Sequence, residues 1–207
     1  MTRLATGAPG AVVFAADDPV LGPLELRVLD VDDPRDLDVL DDWVRRPWAG
    51  FWGLADHSRE ELREVYRFVD SLPTHHAFLL RRDGEPIVLL QTYEPEHDPV
   101  GERYDVEPGD AGIHFFLGGR GAPTAGLMTR VFVALGGFLF ADPAVRRIVV
   151  EPDVGNDRAV ALMTRLGFVP GPVIDLGHKR ARLAFLDRER FEALAGRAST
   201  PAGATTP

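Results

Sequence analysis

What most constrains this chain is the stretch from Gly109 to Phe168. An extended run rich in β-branched and aromatic residues, Ala111 to Leu117, ends in Gly118-Gly119-Arg120-Gly121-Ala122-Pro123. Helical spacing follows, with Leu127, Val131, Leu135 and Phe138 forming one stripe from near Thr124 to about Ala141. Arg147 to Val150 reads as a second strand, stopped by Pro152, and Asn156 can cap a further helix that ends at Gly167. Two extended runs joined through a helix of this length make a parallel pair with a crossover. The fold must therefore contain a sheet with helices packed on it.

The turn inside that unit carries a chemical consequence. A glycine-rich turn feeding a helix leaves N–H groups without helical partners beside the positive end of the helix dipole. Ala125, Gly126, Leu127 and Met128 are the expected donors, with Arg120 or Arg130 adding charge. Glycines also serve plain chain reversal at strand-to-helix joints, so the turn alone leaves both an anion cradle and a simple joint open.

The rest of the chain fits around this unit. Leu24 to Leu29 alternates as a first strand. Asp33-Pro34 starts a helix carrying Leu37, Leu40, Trp43 and Val44 until Pro47, and Ser58-Arg59-Glu60-Glu61 is a capping box ahead of Leu62, Val65, Tyr66, Val69 and Leu72. His76 to Arg82 and Pro86 to Tyr93 form a hairpin around Asp83-Gly84; Val173 to Leu176 and Arg180 to Leu186 close the sheet. The predicted order is β-α-α-β-β-β-α-β-α-β-β: one α/β domain over 21–195 with a mixed, mostly antiparallel sheet of about seven strands. Residues 1–20 are expected to be disordered or extended, and 196–207 a disordered tail.

Composition removes several function classes. The 207 residues carry nine net negative charges, against the cationic surface that nucleic-acid binding requires. With no cysteine, disulfides, thiolate metal sites and cysteine nucleophiles are excluded. His57, His75, His76, His97 and His178 show no metal spacing, and no Gly-x-Ser-x-Gly nucleophile elbow occurs. The most apolar segment, Ala125 to Ala141, holds Arg130 and is short of the roughly 20 residues a membrane span needs. The N-terminus does not read as an export signal and cysteine is absent, which fits a cytoplasmic protein; a monomer or homodimer is expected.

The element order and the Asn156…Leu166-Gly167-Phe168 segment resemble the GNAT N-acetyltransferase superfamily over about Leu24 to Leu186. A narrower resemblance rests on Trp48-Ala49-Gly50-Phe51-Trp52-Gly53, Tyr104-Asp105, Pro108-Gly109-Asp110-Ala111-Gly112-Ile113-His114-Phe115, Asp142-Pro143 and Val149-Val150-Glu151-Pro152-Asp153-Val154-Gly155-Asn156. These blocks are similar to siderophore-biosynthesis acyltransferases of the aerobactin, mycobactin and desferrioxamine type. The resemblance implies a sheet splayed between strands four and five to admit acyl-CoA, as co-substrate and without a metal. It implies cofactor contacts at Phe116, Leu117, Arg120, Gly121, Ala125, Gly126, Leu127, Met128 and Asn156. Here Arg120-Gly121-Ala122-Pro123-Thr124-Ala125-Gly126 departs from the family's usual phosphate loop in spacing and in its proline.

Within that resemblance His114 is the candidate base or proton relay, and Asp153 the group that orients it or holds the acceptor. Without it, His114 is a half-buried strand histidine and Asp153 a turn or cap residue. Trp48, Phe51 and Trp52, with Tyr104, are the expected wall of an acceptor pocket; a core lid is the other reading of the three rings. His178-Lys179-Arg180 reads as a solvated turn, with a hold on an acceptor carboxylate or a CoA phosphate as the other reading. The implied reaction is acyl transfer to a small N-hydroxylated amine. Two alternatives stand beside it: an amine or antibiotic N-acetyltransferase, and a non-catalytic acyl-CoA-binding regulatory domain.

Overall fold

A computed structural model describes residues 6–118 and 126–199. In order the chain forms β1 (Val12–Asp18), β2 (Gly22–Val28), α1 (Pro34–Val44), a 3-10 turn (Pro47–Trp52), α2 (Arg59–Ser71), β3 (His75–Arg82) and β4 (Glu85–Tyr93). Two short 3-10 turns (Pro95–His97 and Pro99–Arg103) lead into β5 (Asp110–Leu117) and α3 (Leu127–Ala141). Then come β6 (Arg147–Val150), α4 (Asp157–Arg165), β7 (Val169–Asp175), β8 (Arg180–Asp187) and α5 (Arg188–Ser199).

The local signals act where they stand in the sequence. Asp33 accepts the Arg35 N–H at 2.9 Å and Pro34 opens α1. Both hydrogen bonds of the Ser58/Glu61 capping box are made at the start of α2. Asn156 caps α4 by accepting from the Ala159 N–H. The start expected near Thr124 for α3 lies outside the described residues, where Arg120, Gly121 and Ala125 also fall; the described helix begins at Leu127.

Among the described residues the strands form one sheet of eight, ordered β1-β2-β3-β4-β5-β6-β8-β7. All neighbours are antiparallel except β5 and β6, the pair joined through α3. The strand beyond the seven expected is β1, which pairs antiparallel with β2. On one face α3 and α5 cover Leu24, Leu26, Phe78, Leu80, Val88 and Leu90. On the other, α1 and α2 cover Leu29, Leu79 and Leu89 through Leu40, Trp43 and Tyr66. Strand alternation sends neighbouring residues to these two cores in turn.

The β5–β6 ladder is short. It pairs Asp110 with Arg147, Ala111 with Ile148 and Gly112 with Val149, and there it stops, while β5 runs on to Leu117. The sheet is thus parted between its fourth and fifth central strands, as the resemblance implies.

Candidate active site

The parted edge has a definite polarity. The Gly109 carbonyl accepts from Arg147 N–H on the β6 side, whereas Gly118 N–H donates to Ile87 on the β4 side. Alternation between these two fixed points turns the backbone groups of Phe115 and Leu117 toward the open edge, and those of Phe116 toward β4. The Leu117 amide therefore faces the gap. Phe116 contributes a ring, packed 6.1 Å from Trp43 and 5.4 Å from Trp52 by centroid.

His114 lies on this strand with Gly112 and Phe116 on its face. The register that sets Gly112 opposite Val149 carries Glu151, just past the end of β6, opposite His114. His114 Nε2 and Glu151 Oε1 are 2.5 Å apart. Tyr93 hydroxyl donates to Glu151 Oε2 at 2.8 Å, and Lys179 Nζ donates to Glu151 Oε1 at 3.3 Å and to its carbonyl at 3.1 Å. The Glu151 side chain is 1% exposed and that of His114 38%. A buried anion is thus fully engaged, and the imidazole between it and the gap stays open on one side.

Tyr93 reaches this position because residue 112 is glycine. The two face each other across β4 and β5, and a Cβ on Gly112 would sit 2.1 Å from Tyr93 Cζ. Any side chain there displaces the ring and with it the hydroxyl on Glu151.

Electrostatics follows from these contacts. Burial pushes the Glu151 carboxyl upward, but His114, Lys179 and the Tyr93 hydroxyl outweigh it and hold it down to about 2. Burial pushes His114 downward and the Glu151 charge pushes it further upward, so the imidazole titrates above its ordinary value. Burial, and then Glu151, hold the Tyr93 phenol well above its ordinary range, so it stays a donor. With Nε2–H committed to an ionised carboxylate, the ring nitrogen available to take a proton is Nδ1.

The other expected residues divide. Trp52 reaches the site, its ring edge-on to His114 at 6.3 Å and its Nε1 donating to Tyr66 hydroxyl. Phe51 is 58% exposed and lies beside the Gly155 turn. Trp48 is partly buried, 5.9 Å from the Arg46 guanidinium. Tyr104 packs into the small core of Tyr93 and Val149, but its hydroxyl is given to Asp110, which also holds Arg147.

Asp153 is not the carboxylate against His114; Glu151 is. Asp153 Oδ1 accepts from Gly155 N–H at 2.7 Å, and its backbone bridges to Ala181, because Pro152 breaks the strand and the chain turns toward α4. Arg130 is paired with Asp18 of β1 at 3.1 Å, so its charge is already matched. Lys179, expected in a solvated turn, points inward to Glu151. Gly126 (φ 73°) precedes α3, whose first-turn amides include those of Leu127 and Met128. Among the described residues no cluster of three or more His, Asp or Glu is placed to hold a metal, and no helix is long and apolar enough to cross a membrane.

A sheet opened along its parallel pair, with α3 following the open strand in the chain, is the arrangement that the resemblance to the GNAT superfamily implies. The family model described as an acetyltransferase (GNAT) domain matches residues 32–176, and this chain belongs to that family. The chain is similar to the N(6)-hydroxylysine O-acetyltransferase of Escherichia coli, 27% identical over 155 residues. That match covers 72% of this chain and 48% of the relative, so the chain spans about half of that protein's length. It is 27% identical over 165 residues to the N-hydroxyputrescine acetyltransferase of Acinetobacter baumannii, covering 78% of this chain and 77% of the relative. Among solved structures, the aminoglycoside acetyltransferase AAC(6')-Ib in complex with coenzyme A has a TM-score of 0.70 at 27% identity, covering 82% of this chain and 98% of that one.

Proposed function

We propose that the chain transfers an acyl group from acyl-CoA to the nitrogen of a small N-hydroxylated amine or amino acid, giving a hydroxamate of the kind that chelates iron in siderophores. The observation that carries this reading is His114, set on the parted edge of β5 and held from behind by the buried Glu151.

The steps follow from the residues. The acyl-CoA lies along the open edge of β5, its pyrophosphate at the start of α3 and its thioester carbonyl by the outward amides of Phe115 and Leu117. His114 Nδ1 takes the proton that the attacking nitrogen loses, while Glu151 stabilises the imidazolium that forms. The tetrahedral intermediate collapses with loss of the CoA thiolate, to which His114 returns a proton. Trp52, Trp48 and Phe51 wall the acceptor side. Asp153 takes the acceptor hydroxyl from the turn beyond Glu151, and Tyr104 lends its ring to the wall while its hydroxyl stays on Asp110. Asn156 acts through α4, as the cap that fixes the turn. An acyl-CoA substrate suits action in the cytoplasm.

The names of the E. coli and A. baumannii relatives both carry N-hydroxylated acceptors, which supports the acceptor class. Product analysis separates N- from O-acylation. N-acylation of N6-hydroxylysine gives a hydroxamate that colours with iron(III); an O-acyl product of the same mass does not. Colour together with the acyl mass increment is the expected result. A colourless product would assign oxygen as the nucleophile.

The AAC(6')-Ib match supports a second reading, acetylation of a plain amine on a similar fold. A non-catalytic binding domain is less well supported, since it has no use for an imidazole backed by a buried carboxylate at the open edge.

Gly126 tests the cofactor half. Its φ of 73° is strained for any L side chain, although among the described residues no atom lies within 4 Å of an added Cβ. Gly126→Val is therefore expected to weaken CoA about tenfold or more by re-aiming the first turn of α3, through backbone strain rather than crowding. Calorimetry on the folded variant checks it; unchanged affinity would place the pyrophosphate elsewhere.

A further inference from the structure

One lysine stands among 22 arginines in this chain, and it is Lys179. It sits in the turn between β7 and β8, where Leu176 N–H donates to its carbonyl at 3.0 Å and Gly177 N–H donates to Asp175 Oδ1 at 2.7 Å. The turn is thus braced, and its ammonium is fixed on Glu151 with the side chain 22% exposed. The oxygen it holds, Oε1, is the one that His114 Nε2 meets. We propose that Lys179 is a positioning residue that shares the Glu151 carboxylate with His114 and so keeps the imidazole available as a base near neutral pH. This rests on the reading of His114 as the base.

The choice of lysine over arginine is chemical. Nζ must reach two acceptors of one residue, the carbonyl and the carboxylate of Glu151, from one point. A compact ammonium with three rotatable donors does this; a planar guanidinium, whose donors diverge in a fixed fork, addresses paired coplanar oxygens. Elsewhere the chain uses that fork, as where Arg147 takes both Asp110 oxygens.

Among the described residues the charges around His114 are few. Glu151 faces it from the end of β6, Lys179 from the β7–β8 turn and Tyr93 from β4 with its hydroxyl on Glu151. Asp98 acts from the start of the Pro99–Arg103 turn and is itself paired with His75 of β3. From the Pro47–Trp52 turn comes the uncharged Trp52 ring. Glu151 and Asp98 favour the imidazolium; Lys179 opposes it. Were the anion unshared, His114 would be protonated over more of the neutral range and unable to accept the substrate proton.

The test uses the full chain and follows the His114 imidazole by NMR titration, with His114→Asn to assign its signal, in wild type, Lys179→Gln and Lys179→Arg. Lys179→Gln is expected to raise the titration midpoint and move the ascending limb of kcat to higher pH. Turnover at pH 7 then falls about tenfold, recovers in alkali, and the KM for acyl-CoA is unchanged. Lys179→Arg keeps the charge and is expected to hold the midpoint near wild type. An unmoved midpoint in Lys179→Gln, an equal loss of rate at every pH, or an arginine variant that titrates like the glutamine would each overturn the proposal. The titration needs no acceptor, so its outcome is independent of the acceptor assignment. If His114→Asn retained full activity, the base reading would fail while the titration still reported the charge sharing.

Discussion

Replacing His114 with alanine should lower turnover about a hundredfold to ten-thousandfold, the usual contribution of a positioned acid–base group. The loss should appear in kcat, with little change in CoA affinity, because the imidazole is assigned to the acceptor proton and the pyrophosphate to the start of α3. The fold should survive, since the ring is partly exposed and its neighbours are aromatic. The variant also leaves Glu151 with two of its side-chain partners, Tyr93 and Lys179. Steady-state rates and CoA calorimetry on the folded variant check both halves. Combined with Asp153→Asn, the loss should be less than additive if His114 and the hold of Asp153 on the acceptor hydroxyl act as one unit on the attacking nitrogen. Full activity in His114→Ala would remove the histidine from the mechanism.

Glu151→Gln should have the second large effect, on stability and on pH dependence together. The glutamate is held at about 2 against an ordinary 4.5, so its ionisation stabilises the fold fully above 4.5, and that stabilisation is lost as pH falls toward 2. His114 is raised above its ordinary 6.5, so its contribution is complete below 6.5 and is lost as pH rises through the folded value. Both are present between about pH 4.5 and 6.5, where the variant should lose most, on the order of 3 kcal/mol. Denaturant melts across pH measure this; the difference from wild type should narrow on either side of that window. In the rate profile the sign is opposite to that of Lys179→Gln. Loss of the anion leaves burial and the Lys179 cation acting on His114 against the weaker pull of Asp98, so the ascending limb should move to lower pH, with a reduced plateau because Glu151 no longer stabilises the imidazolium. A limb that stayed in place would show that Glu151 does not govern the titrating group.

Much of this was legible in the sequence, for identifiable reasons. The central unit declares itself because Pro152 and Gly167 punctuate runs of clear period, as the Ser58 capping box does for α2. Strand β1 does not: Val12 is 51% exposed, and a bulge between Val12 and Phe14 spoils the alternation. In α5 only Phe191 and Leu194 make a short buried pair, too little for a helical stripe.

At the candidate site, the place of His114 on its strand could be read from the sequence, but its carboxylate partner could not. Glu151 and Asp153 have the same parity along the chain, and only the β5–β6 register separates them. One offset pairs Asp110 with Arg147 and Gly112 with Val149, and extending it brings Glu151 opposite His114. The Asp110–Arg147 ion pair was the one available clue to that register. Lys179 was visible as the sole lysine, yet a turn flanked by Gly177 and His178 reads as solvated, and nothing local shows that its ammonium folds inward.

The central claim is that the acceptor is an N-hydroxylated amine, and its most direct test is a ratio of specificity constants. With one acyl-CoA, kcat/KM is measured for N6-hydroxylysine against lysine, and for N-hydroxycadaverine against cadaverine, from neutral to alkaline pH. A primary alkylamine with a pKa near 10.4 is about one part in a thousand neutral at pH 7.4, whereas a hydroxylamine nitrogen is largely neutral there. Ionisation alone then predicts a preference of about a thousandfold, which fades as pH rises. A site that also holds the hydroxyl leaves its own polar groups unpaired with the parent amine, so a residual preference should persist in alkali. The account predicts a hydroxyamine favoured at every pH, with that residue remaining. A parent amine favoured throughout would contradict it and leave a plain amine acetyltransferase in its place.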